Sequence, residues 1–172
     1  MVTKLENFDF TNEITKKELL FVLKKEAECI SMADIMAAHA FLVDEGKYVH
    51  GSYRDEYLKA YVKAFILRLK EIKDNDNNFQ CTVDADELKK ALKLLNEQKE
   101  TLESCFSEIY GIASIYTTFI LDEPIHVVGT PFPGGFEVKY ENGTYLCPVK
   151  EKQKDNPGAV CGFCIAKQDN SV

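Results

Sequence analysis

Apolar residues recur every three or four positions through most of the first 120 residues, which is the spacing of helices with one buried face. The first helix follows the stretch from Thr15 to Glu18, a capping box in which hydroxyl and carboxylate each satisfy a free backbone amide. Ser31 and Asp34 mark a second start, and Gly46 is a suitable stop. The predicted apolar positions of these two helices are Leu19, Leu20, Val22, Leu23, Ala27, Ile30, Ile35, Met36, Ala38, Leu42 and Val43.

A third amphipathic helix is predicted over residues 52–72, and the polar run Asp74–Asn78 ends it, because Asn and Asp side chains bond their own backbone and favour turns. The helical pattern resumes and continues unbroken over residues 84–119. One helix of that length would measure about 50 Å, which is long for a globule of this size. We therefore expect a break within residues 96–101, and we expect Pro124 to end the last helix.

The pattern changes in the last quarter of the chain. Residues 136–140 alternate between apolar and charged side chains, and Asn142-Gly143 separates them from a second apolar run, which predicts a β-hairpin. The sequence therefore predicts a mainly α fold, a bundle-like domain of four or five helices with a small C-terminal β-hairpin and loop cap. Residues 1–124 form the helical region, and residues 125–172 form a Cys-, His-, Pro- and Gly-rich cap packed on the same single domain.

Candidate ligands for a metal ion are concentrated in this cap. Two residues separate Cys161 from Cys164, a spacing that lets two thiolates reach one metal ion from a single tight turn. Cys147 lies at the end of the predicted hairpin, and His126 lies at the start of the cap. Because three sulfur atoms and one imidazole complete a closed tetrahedral site, we predict a structural zinc ion bound by Cys147, Cys161, Cys164 and His126.

Two other interpretations of these cysteines stay open. The three thiols are also compatible with small hydrophobic side chains packed in a loop-rich cap, or with a redox-active pair or disulfide. Cys81 or Cys105 could replace His126 as the fourth ligand. Together with Cys29, however, Cys81 and Cys105 fall on or beside predicted helix faces, so we expect them to be buried thiols.

Four stretches of the C-terminal part carry a resemblance to a known family. They are Pro124–His126, Gly129–Gly135, Tyr145–Gln153 and Asp155–Ala166. In these stretches the chain resembles an uncharacterised protein family of methanogenic archaea, known as a domain of unknown function. The resemblance is specific over about the last third of the chain and looser over the helices. It implies a single-domain, soluble, intracellular archaeal protein, and it implies neither an activity nor catalytic residues.

The formal net charge of −7 argues against a nucleic-acid-binding protein, because binding to phosphate groups requires a basic surface. No apolar stretch reaches the ~18 residues of a membrane-spanning helix. No signal peptide is visible at the start of the chain. We therefore expect a cytoplasmic protein without membrane contact, in which the six cysteines are reduced.

No arrangement of residues in the sequence identifies a reaction. We therefore predict a non-enzymatic, intracellular binding or assembly protein that contacts an unidentified protein partner, with zinc holding the cap. The alternative is a metal- or thiol-dependent enzyme that uses His126, Cys147, Cys161 and Cys164 as an open site. A binding protein should present an apolar or acidic patch on its helices, whereas an enzyme needs a cleft with perturbed titratable groups.

Overall fold

Helices form the first two thirds of the protein, and short strands pair in the last third. The computed structural model of the protein describes residues 5, 8–10, 12–98, 104–153, 156 and 159–172. The helices are α1 (Lys16–Cys29), α2 (Met32–Glu45), α3 (Arg54–Tyr61), α4 (Arg68–Asp74), α5 (Ala85–Gln98) and α6 (Ser104–Phe119). The π-helical turn Val62–Leu67 joins α3 to α4, and the 3-10 turn Gly46–Tyr48 follows α2. The predicted mainly α fold with a C-terminal strand region is confirmed.

Side-chain caps begin the first two helices, as the sequence predicts. The side chains of Thr15 and Ser31 each accept a hydrogen bond from the third helical amide, and the carboxylates of Glu18 and Asp34 accept one from the backbone amide of the capping residue. The start predicted within residues 52–55 is less regular, because α3 begins after Tyr53 without a side-chain cap. Local hydrogen bonds hold this start instead, because the backbone amide of Tyr53 donates to the carbonyl of His50 and the Arg54 side chain donates to the carbonyls of Lys47 and Val49.

Helix α6 lies at the centre of the helical part and packs against α1, α2, α4, α5 and the π turn. From Phe106 to Ile120, every residue except Glu108 and Gly111 is buried. A helix that is apolar on all sides is stable in water only when other elements surround it. The remaining helices supply those surroundings with their own apolar faces, so α6 organises the core.

Helix α6 ends earlier than Pro124, the residue that the sequence suggests as its end. The last helical residue is Phe119, and Asp122 adopts a left-handed backbone conformation with φ of 55°. The Lys16 ammonium of α1 lies at this end and donates to the carbonyl of Ile120 at 3.1 Å and to Asp122 at 2.5 Å. Because a cation at the C-terminal end of a helix satisfies free carbonyl groups, this contact stabilises the earlier stop.

The expected break within residues 96–101 falls largely outside the described part of the chain. Helix α5 is described to Gln98 and α6 from Ser104, and residues 99–103 are not described. Whether this stretch breaks in the predicted manner therefore stays a prediction.

The C-terminal part contains two small sheets. Strand β1 (Pro131–Phe132) pairs with β2 (Phe136–Glu137), and β3 (Lys139–Glu141) pairs with β4 (Thr144–Cys147), both antiparallel. Asn142 and Gly143 form the predicted turn between β3 and β4, with φ of 50° and 76°. Strand β5 (Lys167–Gln168) runs parallel to β4, which brings the end of the chain back beside Cys147.

Part of this C-terminal segment packs in the same hydrophobic core as the helices. Val160 and Phe163 are buried in that core, and the Phe163 ring stacks on Phe119 with ring centres 6.3 Å apart. The buried side chain of Gln98 also donates to the carbonyl of Ala159 at 3.0 Å. Among the described helices, none is both long and apolar enough to cross a membrane.

We expect Leu23→Ala to lower the free energy of unfolding by about 2–5 kcal/mol, because it empties a fully buried position of α1. The matched control is Phe21→Ala in the same helix, where the side chain is 62% exposed and the change should stay within about 0.5 kcal/mol. Urea denaturation followed by circular dichroism measures both. Equal losses in the two variants would contradict the assigned faces of α1.

Candidate functional site

The three cysteines predicted as ligands lie close together in the cap. Cys147 ends β4 and is buried in a small apolar cluster with Val138 and Ala166, against which Cys164 also packs. Cys161 begins the turn that leads to Cys164 and then to β5. The parallel pairing of β5 with β4 brings the turn Cys161–Cys164 back to the side of Cys147.

The thiols of Cys147 and Cys161 are held in their protonated form by a raised pKa. Burial, and then the proximity of Cys164 and Cys147, raise the pKa of Cys161 to about 11. Burial also raises the pKa of Cys147, although the backbone amides of Val149 and Lys150 oppose that rise. Because thiols at neutral pH react as thiolates, raised pKa values make these cysteines poor nucleophiles without a metal ion.

Lys150 links the two turns that carry the cysteines. Its ammonium group donates to the carbonyl oxygens of Cys161 and Cys164, each at 2.5 Å. The same positive charge lowers the pKa of Cys147 and Cys161, against the larger effect of burial. The sequence offers one signal for this residue, since Lys150 stands three positions after Cys147, as Cys164 does after Cys161.

His126 lies on the wall of a cavity of about 330 Å³ between the helices and the cap. Cys147 and Cys161 line the same cavity. The ring centres of Tyr61, Phe132 and Phe65 lie 5.3, 5.7 and 6.3 Å from that of His126. This enclosure lowers the pKa of His126 to about 4, so its imidazole is neutral at pH 7, the form that binds metal ions.

Two tyrosines of the helical part complete the cavity. Tyr61 comes from α3 directly before the π turn, and Tyr110 comes from α6. Burial raises the pKa of both hydroxyl groups, so the phenols stay protonated at physiological pH. The cavity is therefore lined by neutral aromatic, thiol and imidazole groups rather than by charged ones in its described wall.

The predicted zinc site stays a prediction. Among the described residues, no three side chains of His, Cys, Asp or Glu are grouped so that they could hold one metal ion as they stand. Cys147 and Cys164 contact the same small apolar cluster, whereas His126, Cys147 and Cys161 line one cavity. Metal binding would require rotation of these side chains toward a common centre.

The expectation of buried thiols on the helices was wrong for two residues. Cys29 and Cys81 are both exposed, because Cys29 ends α1 and Cys81 lies in the connection before α5. The side chain of Cys105 lies outside the described part of the structure. The five described cysteines are free thiols.

Acid should destabilise the metal-free protein through His126. The folded protein holds this imidazole at a pKa of about 4, whereas an unfolded chain accepts a proton near the ordinary value of 6.5. As pH falls from 6.5 to 4, the free energy of unfolding of the native protein should fall by roughly 1.4 kcal/mol per pH unit more than that of His126→Phe.

Urea denaturation across this range, in the presence of a chelator, measures the difference between the two proteins. Acidic residues titrate equally in both, so the difference isolates His126. Parallel stability curves would show that the imidazole is not enclosed in solution.

The sequence is related to uncharacterised archaeal proteins over most of its length. The chain is 39% identical over 163 residues to a "UPF0305 protein" of Methanothermobacter thermautotrophicus, which covers 92% of this chain and 99% of that protein. A "UPF0305 protein" of Methanococcus maripaludis is 30% identical, covering 92% of this chain and 100% of the relative. No solved structure matches. Because residues 15–169 match the model of the family described as "Uncharacterized protein conserved in archaea", DUF2115, the chain belongs to that family.

Proposed function

We propose that this protein is a non-enzymatic binding or assembly protein that uses the outer face of α2 for contact. The supporting observation is a group of large apolar side chains exposed on α2 and the turn after it. Met32 is 70% exposed, Met36 68% and Tyr48 85%. Large exposed apolar groups that cluster on one element are typical of protein interaction surfaces.

The shape of this outer α2 face fits a second helix. Ala33, Ala37 and Ala40 are also exposed, and their spacing of three or four residues places small side chains in a row beside the methionines. Small side chains let a second helix approach closely, and flexible Met side chains adapt to its surface.

We propose that a second copy of this chain covers the outer α2 face. In a two-fold dimer the same patch serves both copies, so no other surface is needed. An antiparallel pair would place the positive N-terminal end of each α2 near the partner's C-terminal end, where Asp44 and Glu45 lie. Covering the face in both copies would remove on the order of 1,000 Å² from water, near the lower limit of a specific interface.

The double variant Met32→Glu/Met36→Glu should be monomeric at concentrations where the native protein self-associates. Four buried carboxylates in the dimer, two from each copy, would cost several kcal/mol, whereas both positions are exposed in the monomer. Sedimentation velocity measures the association, and the far-UV circular dichroism spectrum of the variant should match that of the native protein. Phe21→Glu, at a 62% exposed position of α1, is the control and should associate like the native protein. A native protein that stays monomeric would overturn the proposed dimer.

We further propose a structural zinc ion in the cap, held by Cys147, Cys161, Cys164 and His126. The clustered sulfur atoms and the neutral imidazole supply the donor types of such a site. Binding of zinc would convert the thiols to thiolates, because the positive charge of the ion outweighs the burial that raises their pKa.

Protein produced without an affinity tag should contain one zinc ion per chain, as measured by elemental analysis. Cys147→Ser should lose this ion and lower the thermal midpoint of unfolding, because metal-binding energy is folding energy in a cap of this kind. The control is Cys29→Ser, which changes an exposed thiol at the end of α1 and should retain the metal. A native protein free of zinc after growth in zinc-supplemented medium would contradict the site.

The metal- or thiol-dependent enzyme remains the second candidate, because His126, Cys147 and Cys161 share one cavity. Its chemistry is less well supported. The raised pKa of Cys161 disfavours nucleophilic attack, and an imidazole with a pKa of about 4 is a weak general base at pH 7. An enzyme would need a metal ion with three protein ligands and an open fourth position.

A further inference from the structure

The two turns that carry the cysteines share one sequence pattern. Cys147–Lys150 and Cys161–Cys164 each begin with Cys, continue with Pro or Gly and one apolar residue, and differ in the fourth residue. In a zinc site built from four cysteines, two such turns each supply two sulfur atoms. Lys150 therefore occupies the position in sequence at which a fourth sulfur would stand.

The side chain of Lys150 joins the first turn directly to the second. Its ammonium nitrogen lies 2.5 Å from the carbonyl oxygen of Cys161 and 2.5 Å from that of Cys164. Hydrogen bonds from a charged donor are roughly twice as strong as neutral ones. One flexible side chain thus fixes both ends of the turn that carries two of the three sulfur atoms.

The first turn is itself anchored on β5. Gln168 donates to the carbonyl of Pro148 at 3.2 Å and accepts from the backbone amide of Glu151 at 2.9 Å. Lys150 projects from this anchored turn, so its position relative to Cys147 is set by the sheet. Through Lys150 the sheet also determines where Cys161 and Cys164 lie.

We infer that Lys150 is the positioning residue of the cysteine cluster. Its ammonium group joins the two turns and sets where Cys161 and Cys164 lie relative to Cys147 before any metal ion binds. Because the two turns are already ordered, the protein loses less conformational entropy when a metal ion binds.

A second consequence rests on the zinc site proposed above. Zinc bound by three thiolates and a neutral imidazole carries one net negative charge. The ammonium group of Lys150 offsets that charge from the carbonyl side of the second turn, as partners behind the ligands do in other metal sites.

Dibromobimane tests the positioning role without metal. This reagent joins two neighbouring thiols, with two C–S bonds formed and two bromide ions released. The experiment uses the full chain with Cys29→Ser and Cys81→Ser, which removes the two exposed thiols, in the presence of a chelator. Mass spectrometry gives the ratio of cross-linked to singly alkylated product, and this ratio is independent of the reactivity of the first thiol.

We expect Lys150→Met to lower this ratio tenfold or more, and Lys150→Arg to restore most of it by keeping the charge and the donors. Lys167→Met is the matched control, because Lys167 lies in the same cap on β5 and should leave the ratio unchanged. Far-UV circular dichroism verifies the helices. If Lys150→Met loses that signal, Lys150→Gln takes its place in the comparison.

Equal ratios for Lys150→Met and Lys167→Met would overturn the positioning role. Zinc affinity, measured by competition with a chromogenic chelator, should fall about 10–100-fold in Lys150→Met. A native protein that binds no zinc but depends on Lys150 for cross-linking would refute the zinc site and support the positioning role. If the native protein binds zinc but Lys150→Met does not change the cross-linking ratio, only the positioning role is refuted.

Discussion

The burial of α6 on all sides is the constraint on which the rest of the structure depends. A helix this apolar requires neighbours around its whole circumference, and α1, α2, the π turn, α4 and α5 provide them. The end of α6 is fixed by the same requirement, since Lys16 of α1 satisfies the carbonyl of Ile120 and pairs with Asp122. From this point the chain leaves the helices through the buried residues Pro124 and Ile125, which fixes where His126 lies.

The cavity behind the cap follows from this arrangement. Tyr110 projects from α6, Tyr61 and Phe65 project from the α3 segment and its π turn, and the cap closes over them. Because partial burial removes water from His126 and Cys161, the pKa of the imidazole is lowered and that of the thiol is raised, so both groups are neutral at pH 7. An environment of this kind supports the binding of neutral groups or of a metal ion better than it supports acid–base chemistry.

The cap illustrates how little secondary structure is needed to bring distant cysteines together. Strand β5 has two residues, yet its parallel pairing with β4 returns the second turn to Cys147. Packing of Phe163 against Phe119 holds that turn on the helices. The match to the family model covers residues 15–169, and therefore both the helices and the cap.

Local chemistry allowed the sequence to predict much of the secondary structure. The capping boxes at Thr15 and Ser31 and the turn at Asn142-Gly143 depend only on residues a few positions apart, and all three form as predicted. The end of α6 was misplaced because it depends on Lys16, which lies more than a hundred positions away.

Helix α2 is a second case in which spacing along the sequence could not predict the structure. Helix α2 carries apolar residues on all of its sides. Their spacing therefore could not predict that Ala38 and Leu42 face the core while Met36 and Val43 face water. The sequence by itself determined the helices, the hairpin turn and the identity of the four candidate ligands. Only the tertiary structure decided which apolar face stays open, how His126 became enclosed and that Lys150 joins the cysteine turns. These features depend on contacts between residues far apart in the chain, and spacing along the sequence does not record such contacts.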